Sequence, residues 1–345
     1  MGSKKLLVFN YSMDESDRVF SHQQQIVLEL AQTWGEVHVI TGRVGSFTPT
    51  QNIHVYDSKW ARGQDVRNVF RFLRLFFRVS SSNEFVAIFS HMTEVQSALV
   101  APFCWVKKRK HFLWYAHASN SKWLRFVSLF ATGIITSTSG SCPLKGSNVI
   151  PIGQSVNEKQ FAFREFEGKK LSKILHFGRL DKSKGIRELI ETVASLRATD
   201  TELSLTLIGN PSNLENLQWA NELKKLYGTE SSWLNFQPGV NRNDLPGIIR
   251  GYDVMLHAFQ GSLDKTLLEA TMVGLPVVTI NREYLNQFGS WGPNVDLTTL
   301  EGELIALIAL DSNSLNSRLR MRRESAVQNH SINSWITRLN QILCS

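Results

Sequence analysis

The sequence has few cysteines and lacks any long hydrophobic segment. Its three cysteines, Cys104, Cys142 and Cys344, lie far apart, and none has a partner in a Cys-x-x-Cys pattern. This spacing argues against a disulfide framework or a cysteine-based zinc site and favours a reducing, cytoplasmic location. No stretch reaches the roughly 18 consecutive apolar residues of a membrane-spanning helix, because the best candidate, 124–135, is short and contains an arginine. The apolar run at 6–9 is too short for a signal peptide.

Acidic residues are in the minority. The 345 residues include 38 Lys and Arg against 30 Asp and Glu, a net charge of +8, which indicates an anionic partner. An anionic membrane and a phosphorylated small molecule both fit the charge, whereas no RNA- or DNA-binding motif accompanies it, so nucleic acid is not predicted as a partner. With 42% hydrophobic and 20% charged residues, the composition is that of a globular protein and excludes a mostly disordered chain.

Short apolar runs alternate with helical patterns along the chain, as in parallel sheets that are buried on both faces. The predicted strands are 6–9, 36–40, 85–89, 112–115, 134–136, 149–152, 174–177, 203–208, 234–237, 254–256 and 277–280. The predicted helices include 21–34, 186–196, 214–227, 244–250, 265–273 and 332–343. The alternation predicts an α/β protein with two doubly wound, Rossmann-like domains, 1–153 and 154–330. A C-terminal helix within 331–345 belongs to either domain, one alternative being that it packs back on the first.

A glycine-rich basic loop follows the predicted strand 174–177. It has the sequence Gly178-Arg179-Leu180-Asp181-Lys182-Ser183-Lys184-Gly185. Glycine lets the backbone turn and approach a ligand, and the N-terminus of the next helix favours anions. The loop also lies at the carboxyl ends of the strands, where ligands of open α/β sheets bind. It is neither a Walker A loop nor a GxGxxG dinucleotide loop, and it fits either an anion site or a solvated basic turn.

A second loop and helix occupy 261–278, beginning Gly261-Ser262-Leu263-Asp264-Lys265-Thr266. Asp264 is placed to cap the helix, whereas a lysine at position 265 is unfavourable for the helix dipole unless an anion lies near it. Glu269 follows Lys265 by one turn on the same helix face. It therefore either forms a surface ion pair with Lys265 or faces a cleft and accepts hydrogen bonds from sugar hydroxyls.

Together these motifs resemble the nucleotide-sugar half of glycosyltransferase family 4. The resemblance rests on Gly178-Arg179-Leu180-x3-Lys184-Gly185 and, farther along, Leu268-Glu269-Ala270-x3-Gly274-x-Pro276-Val277-Val278. Leu207-Ile208-Gly209-Asn210 and 236–239 fit between them, so that 171–281 are covered. The resemblance implies the GT-B fold, in which two Rossmann-like domains face a central cleft. It also implies that the second domain binds the nucleotide sugar and the first domain the acceptor.

The resemblance implies roles for individual residues. Arg179 and Lys184 would hold the donor diphosphate and stabilise its charge during catalysis, Glu269 would bind the ribose hydroxyls, and Lys265 would be a third diphosphate contact. The remaining donor-binding residues that it implies are Gly178, Gly209, Asn210, Gly239, Ser262, Leu263, Asp264 and Thr266. One position departs from the family, whose acidic pair is spaced E-x7-E. Its first position is Gly261 here, so the usual carboxylate contact to the donor sugar is missing.

Histidines follow two predicted strands of the first half. Trp114-Tyr115-Ala116-His117 ends one strand and Ser90-His91-Met92 ends the strand before it. A lone histidine is more often structural, but two at successive strand ends favour a function, and in the family a histidine at the place of His117 touches the donor sugar. The family's glycine-pair loop after the first strand is replaced by 10–23. The predicted acceptor-side residues are Asn10, His22, Gln23 and His91.

Four arginines form one stripe of a predicted helix. They are Arg67, Arg71, Arg74 and Arg78, and a second basic patch follows at 107–110. A basic amphipathic helix is typical of binding to a membrane surface. The alternative is a solvated helix face that packs on a phenylalanine-rich core.

Two functions follow from the sequence. The first is a retaining, hexosyltransferase-like enzyme that moves a sugar from a nucleotide-diphosphate sugar to a saccharide or lipid-linked acceptor. It would serve cell-surface polysaccharide or glycoconjugate synthesis, in the cytoplasm or at the inner face of the membrane. The second is a catalytically degenerate GT-B protein that acts as a binding subunit, which Gly261 favours and the intact Arg179, Lys184 and Glu269 oppose. We predict no cofactor beyond the co-substrate, and no metal, because the sequence lacks a DxD-like aspartate pair at a strand end.

Overall fold

The computed structural model describes residues 4–17, 20–61, 63–167, 170–199, 202–227, 232–294 and 298–345. The chain divides into two compact units. The first unit contains the residues up to Ser155 together with Ile332–Ser345, and the second unit is Val156–Ser331.

Within the described ranges, each unit contains one parallel sheet. The strands are β1 Lys5–Asn10, β2 Glu36–Thr41, β3 Ile53–Asp57, β4 Ala87–His91, β5 His111–Trp114, β6 Gly133–Thr136, β7 Val149–Pro151, β8 Lys173–Phe177, β9 Ser204–Ile208, β10 Leu234–Gln237, β11 Val254–His257 and β12 Val277–Thr279. The first sheet has the order β3-β2-β1-β4-β5-β6-β7 and the second the order β10-β9-β8-β11-β12. The predicted α/β class with two doubly wound parallel sheets is confirmed.

Helices follow most of the strands, as parallel connections require. They are α1 Ser21–Ala31, α2 Asp65–Ser81, α3 Glu94–Val106, α4 Lys122–Ser128, α5 Ile186–Arg197, α6 Leu214–Tyr227, α7 Leu245–Ile249, α8 Lys265–Val273, α9 Arg282–Phe288, α10 Leu300–Ile308, α11 Ser312–His330 and α12 Ile332–Cys344. The strand order reverses between β1 and β4 in the first unit and between β8 and β11 in the second. Ligands of open α/β sheets bind beyond the carboxyl ends of the strands at such a reversal.

The first sheet has helices on both faces. Side chains alternate along β1, so that Val8 belongs to the core that α1 and α12 cover, while Phe9 belongs to the core that α2 and α3 cover. The α4 helix continues the second layer, because Leu124 packs with Leu113 of β5. The C-terminal helix α12 belongs to this unit, where its Trp335 is fully buried.

The strand β3 and the helices α3, α4, α9, α10 and α11 were not predicted from the sequence. The strand β3 is only partly buried, because it is the edge strand of its sheet, so it lacks a continuous apolar run. The helices α9, α10 and α11 were also missed, and α11 is mostly polar, with only Leu315, Leu319 and Ala326 as buried apolar residues. The strand predicted at 85–89 is displaced to Ala87–His91, which makes His91 the last residue of β4.

Candidate functional site

Three glycines shape the carboxyl edge of the second sheet. Gly178 follows β8 with a φ of 148°, a conformation that favours glycine. A Cβ on Gly209, which follows β9, would lie 1.7 Å from the carbonyl oxygen of Gly178, so the ends of these two strands approach too closely for any side chain. Asn210 then accepts a hydrogen bond from the backbone N–H of Gly239 through its Oδ1 at 3.1 Å. The predicted residues Gly178, Gly209, Asn210 and Gly239 therefore lie together at one edge.

Gly185 lets the loop after β8 approach the loop after β11. It has a φ of 69°, and a Cβ there would lie 2.5 Å from the Cβ of Ala258. The close approach places the ammonium group of Lys184 2.5 Å from Oδ2 of Asp264 and 3.8 Å from the ring centroid of Phe259. Lys184 is buried, so its charge is held in place by a carboxylate and an aromatic face.

Asp264 has two roles at the start of α8. Its Oδ1 accepts a hydrogen bond from the backbone N–H of Thr266 and so caps the helix. Although burial alone would raise the pKa of its carboxyl group, the neighbouring His257 ring and the Lys184 ammonium group hold that pKa well below its usual range. Asp264 is therefore an anion that positions Lys184.

Arg179 lies in a more exposed position than Lys184. Its side chain is 62% exposed and lies 3.4 Å from Oδ2 of the buried Asp181. The other oxygen of Asp181 accepts a hydrogen bond from the backbone N–H of Ser212, which fixes the carboxylate. Arg179 can therefore change its rotamer without disturbing the fold.

One asparagine clamps the loop that precedes α8. The side-chain amide of Asn281 donates hydrogen bonds to the carbonyl oxygens of Phe259, Gly261 and Ser262. Ser262 and Leu263 are buried in this loop, while Thr266 is partly exposed. A Cβ on Gly261 would lie 2.2 Å from the Phe259 ring. The ring thus occupies the space into which a side chain at position 261 would project.

Glu269 has a different partner from the one that the helix spacing suggested. Its carboxylate is buried and pairs with Arg242, which lies on the loop after β10. Burial, reinforced by the charge of Arg242, lowers the pKa of Lys265 to about 7, although Glu269 acts in the opposite direction. The prediction of a surface ion pair between Lys265 and Glu269 is therefore wrong. Glu269 instead lies inside a cluster that holds three charged groups.

The acceptor-side candidates meet in the first unit. Gln23 accepts a hydrogen bond from the backbone N–H of Tyr11 at 2.8 Å and donates to the carbonyl oxygen of His91 at 3.4 Å. The rings of His22 and His91 are 5.8 Å apart. Asn10 is buried at the end of β1 and donates to the sulfur of Met13. These four residues surround the carboxyl ends of β1 and β4, where the strand order reverses.

His117 follows the strand β5 of the first unit. It is exposed, three positions beyond the end of β5, and its ring lies 5.6 Å from the ring of Tyr115. Its predicted catalytic role stays a prediction, as do the roles of the other candidate residues.

A group that could hold a metal ion occurs away from these sites. Among the described residues, Glu36, His38 and His54 bring their ligand atoms within 4.8 Å of one another. They lie on β2 and β3, and the ammonium group of Lys5 lies 2.9 Å from the same Glu36 oxygen that faces the histidines. This ammonium group competes with a cation for that oxygen.

The family model described as Glycosyl transferases group 1 matches residues 172–292. Over this segment the chain resembles that family. The segment contains β8 to β12, the loops at 178–185 and 261–264, and Glu269. No curated protein sequence matches the chain.

Several solved structures resemble the chain over its whole length. HepE from Anabaena, in complex with UDP and glucose, has a TM-score of 0.73 at 15% identity and covers 99% of both chains. Sucrose-phosphate synthase from Thermosynechococcus elongatus has a TM-score of 0.74 at 12% identity, covering 98% of each chain. The lipopolysaccharide outer core galactosyltransferase WaaB has a TM-score of 0.66 at 14% identity, covering 98% of this chain and 99% of its own. At these identities the likeness shows the fold, which is GT-B.

Several side chains of the donor region could not be found from the sequence. Arg242, Phe259 and Asn281 stand outside every quoted motif, yet they contact Glu269, Lys184 and the loop carbonyls. The one available signal was Gly261, because a missing side chain at a motif position indicates that another group fills its space.

Proposed function

We propose that this protein is a glycosyltransferase that moves a sugar from a nucleotide-diphosphate sugar to a saccharide or lipid-linked saccharide, with retention at the anomeric carbon. The observation that carries the proposal is the contact between two loops at the carboxyl edge of the second sheet. Arg179 and Lys184 lie on the loop after β8, and Lys184 pairs with Asp264, next to Lys265, on the loop after β11. A diphosphate is an anion of the size and charge that such an edge binds. HepE in complex with UDP-glucose and the galactosyltransferase WaaB support a nucleotide-sugar donor.

The proposed mechanism is electrostatic. The bond between the anomeric carbon and the diphosphate oxygen breaks as the acceptor hydroxyl oxygen bonds to the same face of that carbon. The acceptor proton passes to an oxygen of the leaving diphosphate, so no protein nucleophile takes part. Lys184, held by Asp264, and Arg179 stabilise the charge that grows on the diphosphate. In this proposal these cations supply the positive charge without a metal ion.

The proposal also assigns roles to the remaining candidate residues. Glu269 would accept hydrogen bonds from the ribose hydroxyls, in exchange for or together with Arg242. The N-terminus of α8 would add its dipole to the diphosphate site. Asn10, His22, Gln23 and His91 would bind the acceptor, and His117 would contact the donor sugar.

A second candidate function has one observation in its favour. The Phe259 ring fills the space next to Gly261, so the donor sugar would meet an aromatic ring in place of a carboxylate. The replacement of a carboxylate by an aromatic ring would fit a binding subunit, which binds the donor without transferring its sugar. The buried and ordered Lys184–Asp264 pair favours the catalytic function, because a protein that only binds has less need to position one charge so rigidly.

The two functions are separated by a donor screen followed by a transfer assay. We expect one class of nucleotide sugar to raise the unfolding free energy by roughly 2.7 kcal/mol when present at a hundredfold its dissociation constant. The same donor should be consumed when saccharide acceptors are added. Binding without transfer or hydrolysis would support the binding subunit, and the absence of any stabilising nucleotide sugar would refute both functions.

We further propose that the pathway is cell-surface polysaccharide or glycoconjugate synthesis at the cytoplasmic side of a membrane. In the part of the chain that the structure describes, no helix has the length and apolar character needed to cross a bilayer. The arginine stripe lies on α2, where Arg67, Arg74 and Arg78 are exposed and Arg71 is bonded to Gln64 and Asn68. A lipid-linked acceptor would lie at such a surface.

A further inference from the structure

The helices α2, α3 and α4 form one layer on the first sheet, and their outer surface is unusually apolar. Val66 is 84% exposed, Leu129 is 72% exposed, and Trp105 is 62% exposed. The other large apolar residues exposed on this layer are Phe70, Phe77, Val106, Trp123 and Phe126. We call this surface, the exposed side chains of α2, α3 and α4 with residues 107–110 and 129–130, the helical face.

Aromatic contacts make the helical face continuous from one helix to the next. The rings of Phe77 on α2 and Phe103 on α3 are 5.2 Å apart. Farther along, the ring of Trp105 lies 6.0 Å from that of Phe130, just after α4, and Phe130 lies 5.2 Å from Phe126. Ring contacts thus link α3 to both of its neighbouring helices on this side, and the exposed apolar residues of the three helices are not isolated cases.

The α3 helix shows most clearly that the helical face lacks a cover. Glu94 is its only charged residue, and no other charged side chain occurs through Val106. A helix that is apolar all round is normally buried, yet its C-terminal residues Trp105 and Val106 are both exposed. An exposed surface of this kind marks a site of interaction with a protein or a membrane.

The charge of the helical face is predominantly positive. No Asp or Glu occurs between Glu94 and Glu158, whereas that segment contains seven Lys and Arg. After Asp65, the α2 helix likewise contains four arginines and no acid. Among the described residues, no carboxylate forms an ion pair with Arg67, Arg74, Arg78, Lys107, Lys108, Lys122 or Arg125. The helical face therefore offers apolar side chains and uncompensated positive charge together.

We propose that the helical face docks on the surface of an anionic lipid bilayer. Its aromatic and aliphatic side chains would enter the headgroup region, where tryptophan and phenylalanine are favoured, and its basic side chains would bind lipid phosphates. A second copy of the chain is a poor occupant, because it would oppose two faces of the same positive charge. This surface does not depend on the donor site. Only the consequence that a lipid-linked acceptor lies within reach rests on the proposed function.

Vesicle co-sedimentation tests the electrostatic part. The wild-type protein should bind vesicles of phosphatidylcholine with phosphatidylglycerol at low salt and bind pure phosphatidylcholine vesicles weakly. The test variant carries Arg67→Gln, Arg74→Gln, Arg78→Gln and Lys107→Gln. Each basic residue near an anionic surface contributes about 1 kcal/mol, roughly a factor of five in partitioning. We therefore expect binding to fall by about two to three orders of magnitude.

A matched control separates the helical face from net charge. Four exposed lysines of the second unit give the same change in charge: Lys159→Gln, Lys173→Gln, Lys224→Gln and Lys225→Gln. This control should bind anionic vesicles within about fivefold of wild type. Equal loss in both variants, or no binding by the wild type, would overturn the proposal. Since neither variant alters the donor site, both should keep the stabilisation by a nucleotide sugar, and failure of that stabilisation alone would count only against the proposed function.

A fluorescence measurement tests the apolar part. Trp105 emission should shift to shorter wavelength when anionic vesicles are added, and Trp105→Phe should remove much of that shift. The variant Val66→Ser, Phe70→Ser, Val106→Ser and Leu129→Ser should bind at low salt but be released by added salt more readily than wild type, because only screened charge then holds it. A wild-type protein that dimerises through this face and ignores vesicles would show that the occupant is a second copy, and would refute the lipid proposal.

Discussion

The carboxylate of Asp264 accepts a hydrogen bond at 2.5 Å from the ammonium group of Lys184, a residue 80 positions earlier in the chain. The bond joins the loop after β8 to the loop after β11, and these strands are neighbours at the point where the sheet reverses its order. The bond therefore holds together the two loops of the candidate donor site. Both residues were predicted to bind the donor separately, but their mutual bond was not foreseen.

Lys184→Met should destabilise the second unit. The variant leaves the Asp264 carboxylate without its ammonium partner in a largely buried place, which costs about 3 kcal/mol of unfolding free energy. Adding Asp264→Asn should recover part of this loss, because the amide removes the stranded charge and still caps α8. Urea denaturation of both variants measures the effect. If Lys184→Met alone is as stable as wild type, the pair does not hold the loops together.

Arg179→Ala should impair catalysis without affecting stability. Its side chain is exposed, and exposed ion pairs contribute at most about 1 kcal/mol, while Asp181 keeps its bond from Ser212. Loss of a charge that acts on the leaving diphosphate costs about 3 kcal/mol in the barrier, or about a hundredfold in kcat/KM. Arg320→Ala is the matched control, since Arg320 is an exposed arginine paired with Glu165. Similar rates for both variants would show that Arg179 does not act on the diphosphate.

Glu269→Gln and Arg242→Gln should have different effects on nucleotide affinity. If the Glu269 carboxylate binds the ribose, the amide should weaken binding by about tenfold, because charged acceptors form the stronger hydrogen bonds. Arg242→Gln breaks the same ion pair from the other side and should leave affinity within about twofold. Calorimetric titration with a nucleoside diphosphate decides the matter. Equal losses would assign Glu269 a structural role only.

Acid should destabilise the first unit through His111. The ring is fully buried, its Nε2 lies 3.0 Å from the hydroxyl groups of Ser90 and Ser97, and burial lowers its pKa to about 4. The unfolded chain binds the proton near its ordinary pKa of about 6.5. The contribution of the neutral His111 ring to the free energy of unfolding is therefore complete above about pH 6.5. It is lost as the pH falls to about 4, and the loss is about 3 kcal/mol. His111→Gln should flatten this part of the pH–stability curve, and an unchanged curve would contradict the assignment.

Two glycine substitutions in the second unit should differ sharply. Gly209→Ala forces a methyl group against the Gly178 carbonyl oxygen and should cost on the order of 3 kcal/mol. Gly247→Ala, within α7, meets no atom within 4 Å and should be neutral or stabilising by about 0.5 kcal/mol. Thermal unfolding of the two variants gives the comparison, and a tolerated Gly209→Ala would mean that β8 and β9 separate easily at their ends.

The fold was largely predictable because its strands are apolar runs buried on both faces. The α11 helix was not, because arginines take part in its packing beside a few apolar residues such as Leu315 and Leu319. Arg322 lies 3.7 Å from the Trp291 ring centroid and donates to backbone carbonyls, and Arg323 donates to the carbonyl oxygen of Phe161. Hydrophobic periodicity does not register such contacts. The same limit applies to the donor region, where the pair between Arg242 and Glu269 depends on which loops the sheet order brings together.

The placement of α12 determines the order in which the units can be completed on the ribosome. Its Trp335 and Leu339 are fully buried in the core of the first unit, together with Val8 and Phe89, but they are synthesised after the whole of the second unit. The second unit is one uninterrupted segment and can fold as soon as it emerges. The core of the first unit is completed only when α12 has been synthesised, after the second unit. This reverses the usual N-terminal-first order of folding during synthesis.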